Sequence, residues 1–201
     1  DKTLAGPQRT EDGTIVPNVR FPDMKGLADY IHAKGLKAGL YSSPGPLTCG
    51  GCVGSYGHEA QDAKTYADWG FDYLKYDWCG YADVVSKVGS GLAAQTLPYR
   101  LMGWALAVQD RDIVFSICQY GRAEVSTWGA NVGGHCWRTT QDITDAWSSM
   151  FDILQRQAEL WPYAGPGAWN DPDMLVVGRL GWGELRPTRL KTNEQYTHMS
   201  F

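Results

Sequence analysis

Long apolar runs are missing from this sequence. No stretch approaches the roughly 18 residues that a membrane span requires, so no membrane partner is expected. An excess of basic charge is missing as well: 18 Lys and Arg stand against 22 Asp and Glu, a net charge of −4. Nucleic-acid binding needs a basic face to meet phosphate, so that class of partner is not expected either. No G-x-G-x-x-G follows an apolar strand, which removes the fingerprint of dinucleotide-binding folds. No H-x-H or H-E-x-x-H occurs, and His32, His58, His135 and His198 are scattered. The spacing that a metal centre needs is therefore lacking. There is no secretory signal. The sequence opens at Asp1 rather than Met and closes in an apolar segment at Phe201, and both ends are expected to be cut.

What is plentiful is aromatic side chain, cysteine and glycine. Nine Trp and eleven Tyr offer faces that stack on sugar rings, although large aromatics also simply fill cores. Five Cys, an odd number, leave at least one thiol unpaired. Cys49 and Cys52 form a C-x-x-C. Zinc would need two further ligands at usable spacing, so a disulfide made in an oxidising compartment is the better reading.

Hydrophobic periodicity alternates between helix and strand. Met24, Leu27, Ala28 and Ile31 fall on one helical face, with Asp23 placed to cap its start and Gly35 to end it. Leu36–Tyr41 reads as a strand, then a Gly/Pro-rich loop leads to a helix over about Glu59–Trp69 that stops at Gly70. The rhythm continues with a strand at Phe71–Asp77, a helix at Leu97–Val108 and a strand at Ile113–Cys118. Cys136–Thr139 is a short strand, Trp147–Trp161 a helix, Ala164–Asn170 a strand, and a last helix begins at Asn193. Repeated strand–helix units with apolar strands predict an α/β protein whose parallel sheet is covered by helices. Five strands are too few for the eight of a closed (β/α)8 TIM barrel. An incomplete central portion of such a barrel accounts for both the count and the ends.

In barrels of this kind the chemistry lies at the carboxyl ends of the strands. The polar residues at those positions are Tyr41, then Lys75 and Asp77, then Cys118, then Arg138 and Asp142, then Asn170, Asp171 and Asp173. Side chains alternate along a strand, so Lys75 and Asp77 share a face. An ammonium nearby favours the ionised carboxylate that a nucleophile requires, and a structural ion pair would use the same two residues. Hydrolysis of a glycoside with retention needs two carboxyl groups, one ionised and one protonated. Asp142 is the natural partner of Asp77. Its competing use is as a cap for the helix opening at Trp147, a role for which Asp145 is also placed. Contact with Arg138 would favour the ionised form of Asp142, so an acid role needs a counterweight.

The run Tyr73-Leu74-Lys75-Tyr76-Asp77-Trp78-Cys79 resembles the nucleophile strand of glycoside hydrolase family 27, the α-galactosidase and α-N-acetylgalactosaminidase family. Trp137-Arg138-Thr139-Thr140-Gln141-Asp142-Ile143 resembles its acid/base segment, and Gly167-Ala168-Trp169-Asn170-Asp171-Pro172-Asp173-Met174 its next strand end. Phe21-Pro22-Asp23-Met24-Lys25, Lys34-Gly35-Leu36-Lys37 and Tyr66-Ala67-Asp68-Trp69-Gly70 match in order. The resemblance implies that Asp77 attacks the anomeric carbon and that Asp142 protonates the leaving oxygen and then activates water. It implies sugar contacts at Asp1, Tyr41, Lys75, Cys118, Arg138 and Asp173, and a Cys49–Cys79 disulfide. It implies no metal and no organic cofactor.

On this reading residues 1–201 are one partial catalytic barrel domain lacking the first strands, the last strand and a C-terminal β-sandwich. The expected substrate is a terminal α-linked galactoside, and the expected location is secreted, periplasmic or lysosome-like. Asp1-Lys2 departs from the Asp-Asp pair the family carries near that point. Cys52 and Cys136 have no family partner. Within the family, α-N-acetylgalactosaminidase and β-L-arabinopyranosidase are the alternatives, with an α-1,6-glucan hydrolase more distant. Large side chains in the loop Cys118-Gln119-Tyr120-Gly121-Arg122 favour galactose over its 2-acetamido derivative. A non-catalytic sugar-binding relative is the alternative from another class.

Overall fold

Five parallel strands lie side by side in chain order: β1 (Gly39–Ser42), β2 (Tyr73–Asp77), β3 (Val114–Cys118), β4 (Cys136–Arg138) and β5 (Trp169–Asp171). The computed structural model describes residues 8–181 and 184–200. A doubly wound sheet reverses its strand order at a switch point. Here the order never reverses, which is the arrangement of one arc of a (β/α)8 barrel. The helices are α1 (Met24–His32), α2 (Glu59–Asp68), α3 (Ala82–Val88), α4 (Leu92–Ala107), α5 (Trp147–Leu160) and α6 (Thr192–Ser200). A two-stranded antiparallel ribbon, β6 (Arg179–Leu180) with β7 (Arg186–Pro187), stands apart from the main sheet.

Local chemistry sets the element ends. The Asp23 carboxylate accepts a 2.7 Å hydrogen bond from the Gly26 amide and so caps α1. After α1, Gly35 (φ 74°) donates to the His32 carbonyl and Leu36 to that of Ile31. After α2, Gly70 (φ 85°) and Phe71 repeat the pattern onto Ala67 and Tyr66. Both are helix stops that need a left-handed residue. Three sequence expectations shift. Strand β1 starts at Gly39 rather than Leu36. Helix α4 starts at Leu92, running through Pro98, whose ring is buried along with Ala94. Strand β5 starts at Trp169, because Gly165 and Ala168 close a turn on each other. Neither Asp142 nor Asp145 caps α5, whose preceding residue is Ala146 and carries no side-chain cap. Asp145 instead binds Arg186, Thr188 and the Arg189 amide, tying the β6–β7 ribbon to the loop after β4.

The two faces of the sheet differ in chemistry. Leu74, Tyr76, Phe115, Ile117 and Trp137 occupy one face, each at most 1% exposed. They pack against Ala63 and Tyr66 of α2 and against Tyr99, Met102 and Leu106 of α4. Burial at this density makes the helix-covered face the core. Several of the abundant aromatic residues go there, including Trp78, which stacks on Tyr99 at 6.1 Å. The opposite face is polar. Register sets Tyr41, Lys75, Ser116 and Cys136 in one row across four strands. Asp77 beside Cys118, and Arg138 beside Asp171, form the next level.

Candidate active site

Asp77 is the last residue of β2 and is buried, with only 7% of its surface exposed. Its two carboxylate oxygens are held from different elements. The Tyr41 hydroxyl, from β1, donates to Oδ2 at 2.9 Å, and the Tyr120 hydroxyl, from the loop after β3, donates to Oδ1 at 2.7 Å. Burial, together with the Asp77 charge, raises both phenols well above the ordinary tyrosine range. They therefore remain donors at any pH the protein meets. Lys75 shares the face, and its charge acts on Cys118, but it forms no ion pair with Asp77. Two neutral donors, rather than the expected ammonium, fix this carboxylate.

A disulfide between Cys49 and Cys79 joins the loop after β1 to the loop after β2, with Cα atoms 5.1 Å apart. The Cys79 sulfur lies 3.3 Å from the Tyr41 hydroxyl, so the staple bears on the same phenol that holds Asp77. Cys49, Asp77 and Cys79 bring ligand-type atoms within 4.8 Å of one another. Both sulfurs are consumed in the disulfide, which leaves one carboxylate and no set of metal donors.

Two strands along from Asp77, at the end of β4, Arg138 is the hub. Its side chain is 3% exposed, and its Nη2 lies 2.9 Å from Asp173 Oδ2 and 3.1 Å from Asp142 Oδ1. Nη1 points at the Cys118 sulfur, 3.9 Å away. Burial and the Asp77 charge push the Cys118 thiol up to about 12, against the opposing pull of Arg138 and Lys75. Cys118 is thus a neutral thiol rather than a nucleophile. Asp173 takes a left-handed backbone (φ 86°), unusual for a non-glycine residue. From there Oδ2 also accepts the Ile143 amide at 2.8 Å. That bond anchors the residue next to Asp142, whose own side chain is 72% exposed. Asp142 thus stands at the rim of the site with its carboxylate on a buried guanidinium.

The whole chain is similar to proteins of known activity. A family model for alpha galactosidase A (Melibiase_2) matches residues 1–194. The chain belongs to this family. It is 44% identical to the alpha-galactosidase of Cyamopsis tetragonoloba over 203 residues, covering 100% of this chain and 45% of that protein. The alpha-galactosidase of Saccharomyces cerevisiae superposes with a TM-score of 0.83 at 30% identity, covering 96% of this chain and 45% of the other. An alpha-galactosidase of Saccharomyces cerevisiae solved with raffinose gives 0.79 with the same identity and coverage. The chain spans about half the length of the curated relatives it matches.

Of the site residues expected from the sequence, Tyr41 and Asp77 make direct contact. So do Arg138, Asp142 and Asp173, with Cys118 against Arg138. Lys75 lies in the row of Tyr41, one level below Asp77 and Cys118. Asp1 falls outside the described residues. Asn170 belongs elsewhere: its side chain bonds Ser126, Trp137 and the Leu160 carbonyl on the core side of the sheet. Tyr120 was read from the sequence only as a large side chain in the loop after β3, and its hydrogen bond to Asp77 was not expected. Its signal was alternation: continuing β3 past Cys118 puts residue 120 on the same face.

Proposed function

We propose that the full-length protein to which this chain belongs is a retaining hydrolase of terminal α-galactosides. Asp77 acts as nucleophile and Asp142 as acid and then base. The observation that carries the reading is the buried Asp77 carboxylate, which accepts hydrogen bonds from two phenols at a strand end, on a sheet whose fourth strand end sets a second aspartate, Asp142, on Arg138. In the first step an Asp77 oxygen bonds to the anomeric carbon while the glycosidic bond breaks and Asp142 gives its proton to the leaving oxygen. In the second, water attacks the same carbon, Asp142 takes its proton, and Asp77 leaves as carboxylate. Asp142 would act from the rim of the site, where its carboxylate shares the Arg138 guanidinium with Asp173. The Tyr120 ring, whose hydroxyl reaches Asp77 from the loop after β3, favours galactose over the bulkier 2-acetamido sugar. The Cys49–Cys79 disulfide supports maturation in an oxidising space, secreted, periplasmic or lysosome-like.

The test uses the full-length enzyme with nitrophenyl α-galactoside, α-N-acetylgalactosaminide and β-L-arabinopyranoside. Asp77→Gly should be inactive on its own and, with azide, should yield β-galactosyl azide from the α-galactoside. Asp142→Asn should lose roughly 10²- to 10⁴-fold on substrates with poor leaving groups and far less on activated ones. Preference for another glycoside would reassign the sugar. Sugar binding without turnover by the folded wild type would replace the enzyme with a binding protein.

A further inference from the structure

We infer that Tyr120 is a positioning residue that acts through the nucleophile and governs breakdown of the glycosyl-enzyme. The inference rests on the reading of Asp77 given above. Tyr120 is held by an unusual backbone. Its φ is 64°, Gly121 follows at 75°, and Ala123 and Glu124 are at 50° and 54°. Left-handed non-glycine residues are strained and persist only where the surroundings enforce them. Here the enforcement is visible. The Gln119 side chain, itself buried, closes on both backbone polar groups of Arg122. Gly121 donates to the Arg138 carbonyl at 3.1 Å and lies so close to β4 that a Cβ would sit 2.1 Å from the Thr139 carbonyl oxygen. This strained loop swings the Tyr120 ring to the Arg138 side of the site, its centroid 6.0 Å from the guanidinium, and sets its hydroxyl on Asp77 Oδ1.

The electron count across the two steps says where that bond matters. When an Asp77 oxygen bonds to the anomeric carbon, the carboxylate loses its charge and becomes an ester. When that bond breaks, the electron pair and the charge return to the carboxylate. A phenol donor is worth most on a full carboxylate and least on an ester oxygen. Tyr120 therefore stabilises the starting carboxylate, which restrains the first step. It stabilises the departing carboxylate in the second, which speeds release.

In the full-length enzyme, Tyr120→Phe should lower kcat on an activated dinitrophenyl α-galactoside by about ten- to a hundred-fold, the worth of a charge-assisted hydrogen bond. KM should fall with it, leaving kcat/KM within about threefold of wild type, and a pre-steady-state burst should show the accumulated intermediate. Galactose inhibition and the melting temperature check the fold. If Tyr120→Phe does not fold, Tyr120→Leu fills part of the same space with no donor and should show the same split. A rise in KM with a fall in kcat/KM would make Tyr120 a wall of the sugar pocket and overturn the inference, as would unchanged kinetics. Failure of azide to rescue Asp77→Gly would instead remove the nucleophile on which the inference stands.

Discussion

The cysteines show how one residue type takes different work from its surroundings. Cys49 and Cys79 staple two loops beside Asp77. Cys118 is buried with its thiol pushed up by burial and by Asp77, whereas Cys52 is free and exposed. A thiolate is the reactive form, and exposure controls access. A native full-length enzyme treated with a small disulfide reagent at pH 8 should therefore label at Cys52 and leave Cys118 untouched until the fold opens. Peptide mapping reads the outcome, and prompt labelling of Cys118 would contradict its burial. The C-x-x-C spacing drew attention to Cys49 and Cys52 as a pair, yet Cys49 bonds a residue 30 positions away. Spacing along the chain gives neighbours in sequence, and only the parallel pairing of β1 with β2 brings the two loop cysteines together.

Turns at the element scale divide into those that only stop a helix and those that build the site. Gly35 and Gly121 have nearly the same φ, 74° and 75°, but opposite surroundings: a Cβ on Gly35 meets nothing within 4 Å, while one on Gly121 meets the Thr139 carbonyl at 2.1 Å. Gly35→Ala should cost about 1 kcal/mol, the price of a left-handed alanine, and leave kcat unchanged. Gly121→Ala adds a backbone collision, so it should cost about 1–3 kcal/mol and displace Tyr120, lowering activity well beyond its effect on stability. Denaturant titration beside kinetics separates the two, and equal effects of both variants would refute the distinction. Helix ends at Gly35 and Gly70 were readable because glycine after an apolar periodicity is a local signal. So were the strand cores of β2 and β3, which are short apolar runs. The loop after β3 was not readable, because four left-handed residues, three of them not glycine, are stabilised by docking onto β4 rather than by their own preferences. The short helix α3 was missed for a similar reason: Tyr81 and Val84 help bury it in the aromatic core, and its seven residues give too little periodicity to detect.

Across the whole molecule, β2 carries an aspartate near each end, and the two have opposite tasks. Asp77 at the carboxyl end faces the polar side where barrel chemistry sits; Asp72 just before the amino end serves stability, as the lower face of such folds does. Its carboxylate binds the Ala38 amide at 2.9 Å, His32 of α1 at 2.7 Å and Arg111 at 2.7 Å, joining α1, β1 and the lead-in to β3. Burial pushes this carboxyl up, but the Ala38 amide, His32 and Arg111 together outweigh it and hold it well below the usual carboxylate range. A group with a depressed native value stabilises the fold above its unfolded value, near 4. That contribution is lost as pH falls through and below this range. Asp72→Asn removes the charge that the part-exposed Arg111 meets, so it should cost about 1–3 kcal/mol at pH 7. The gap between variant and wild type should then narrow steadily below about pH 4, because the wild type forfeits the same interaction on protonation. Urea titrations of the full-length protein from pH 7 to pH 3 measure it. A constant gap across that range would mean that Asp72 holds the three elements by shape rather than by charge.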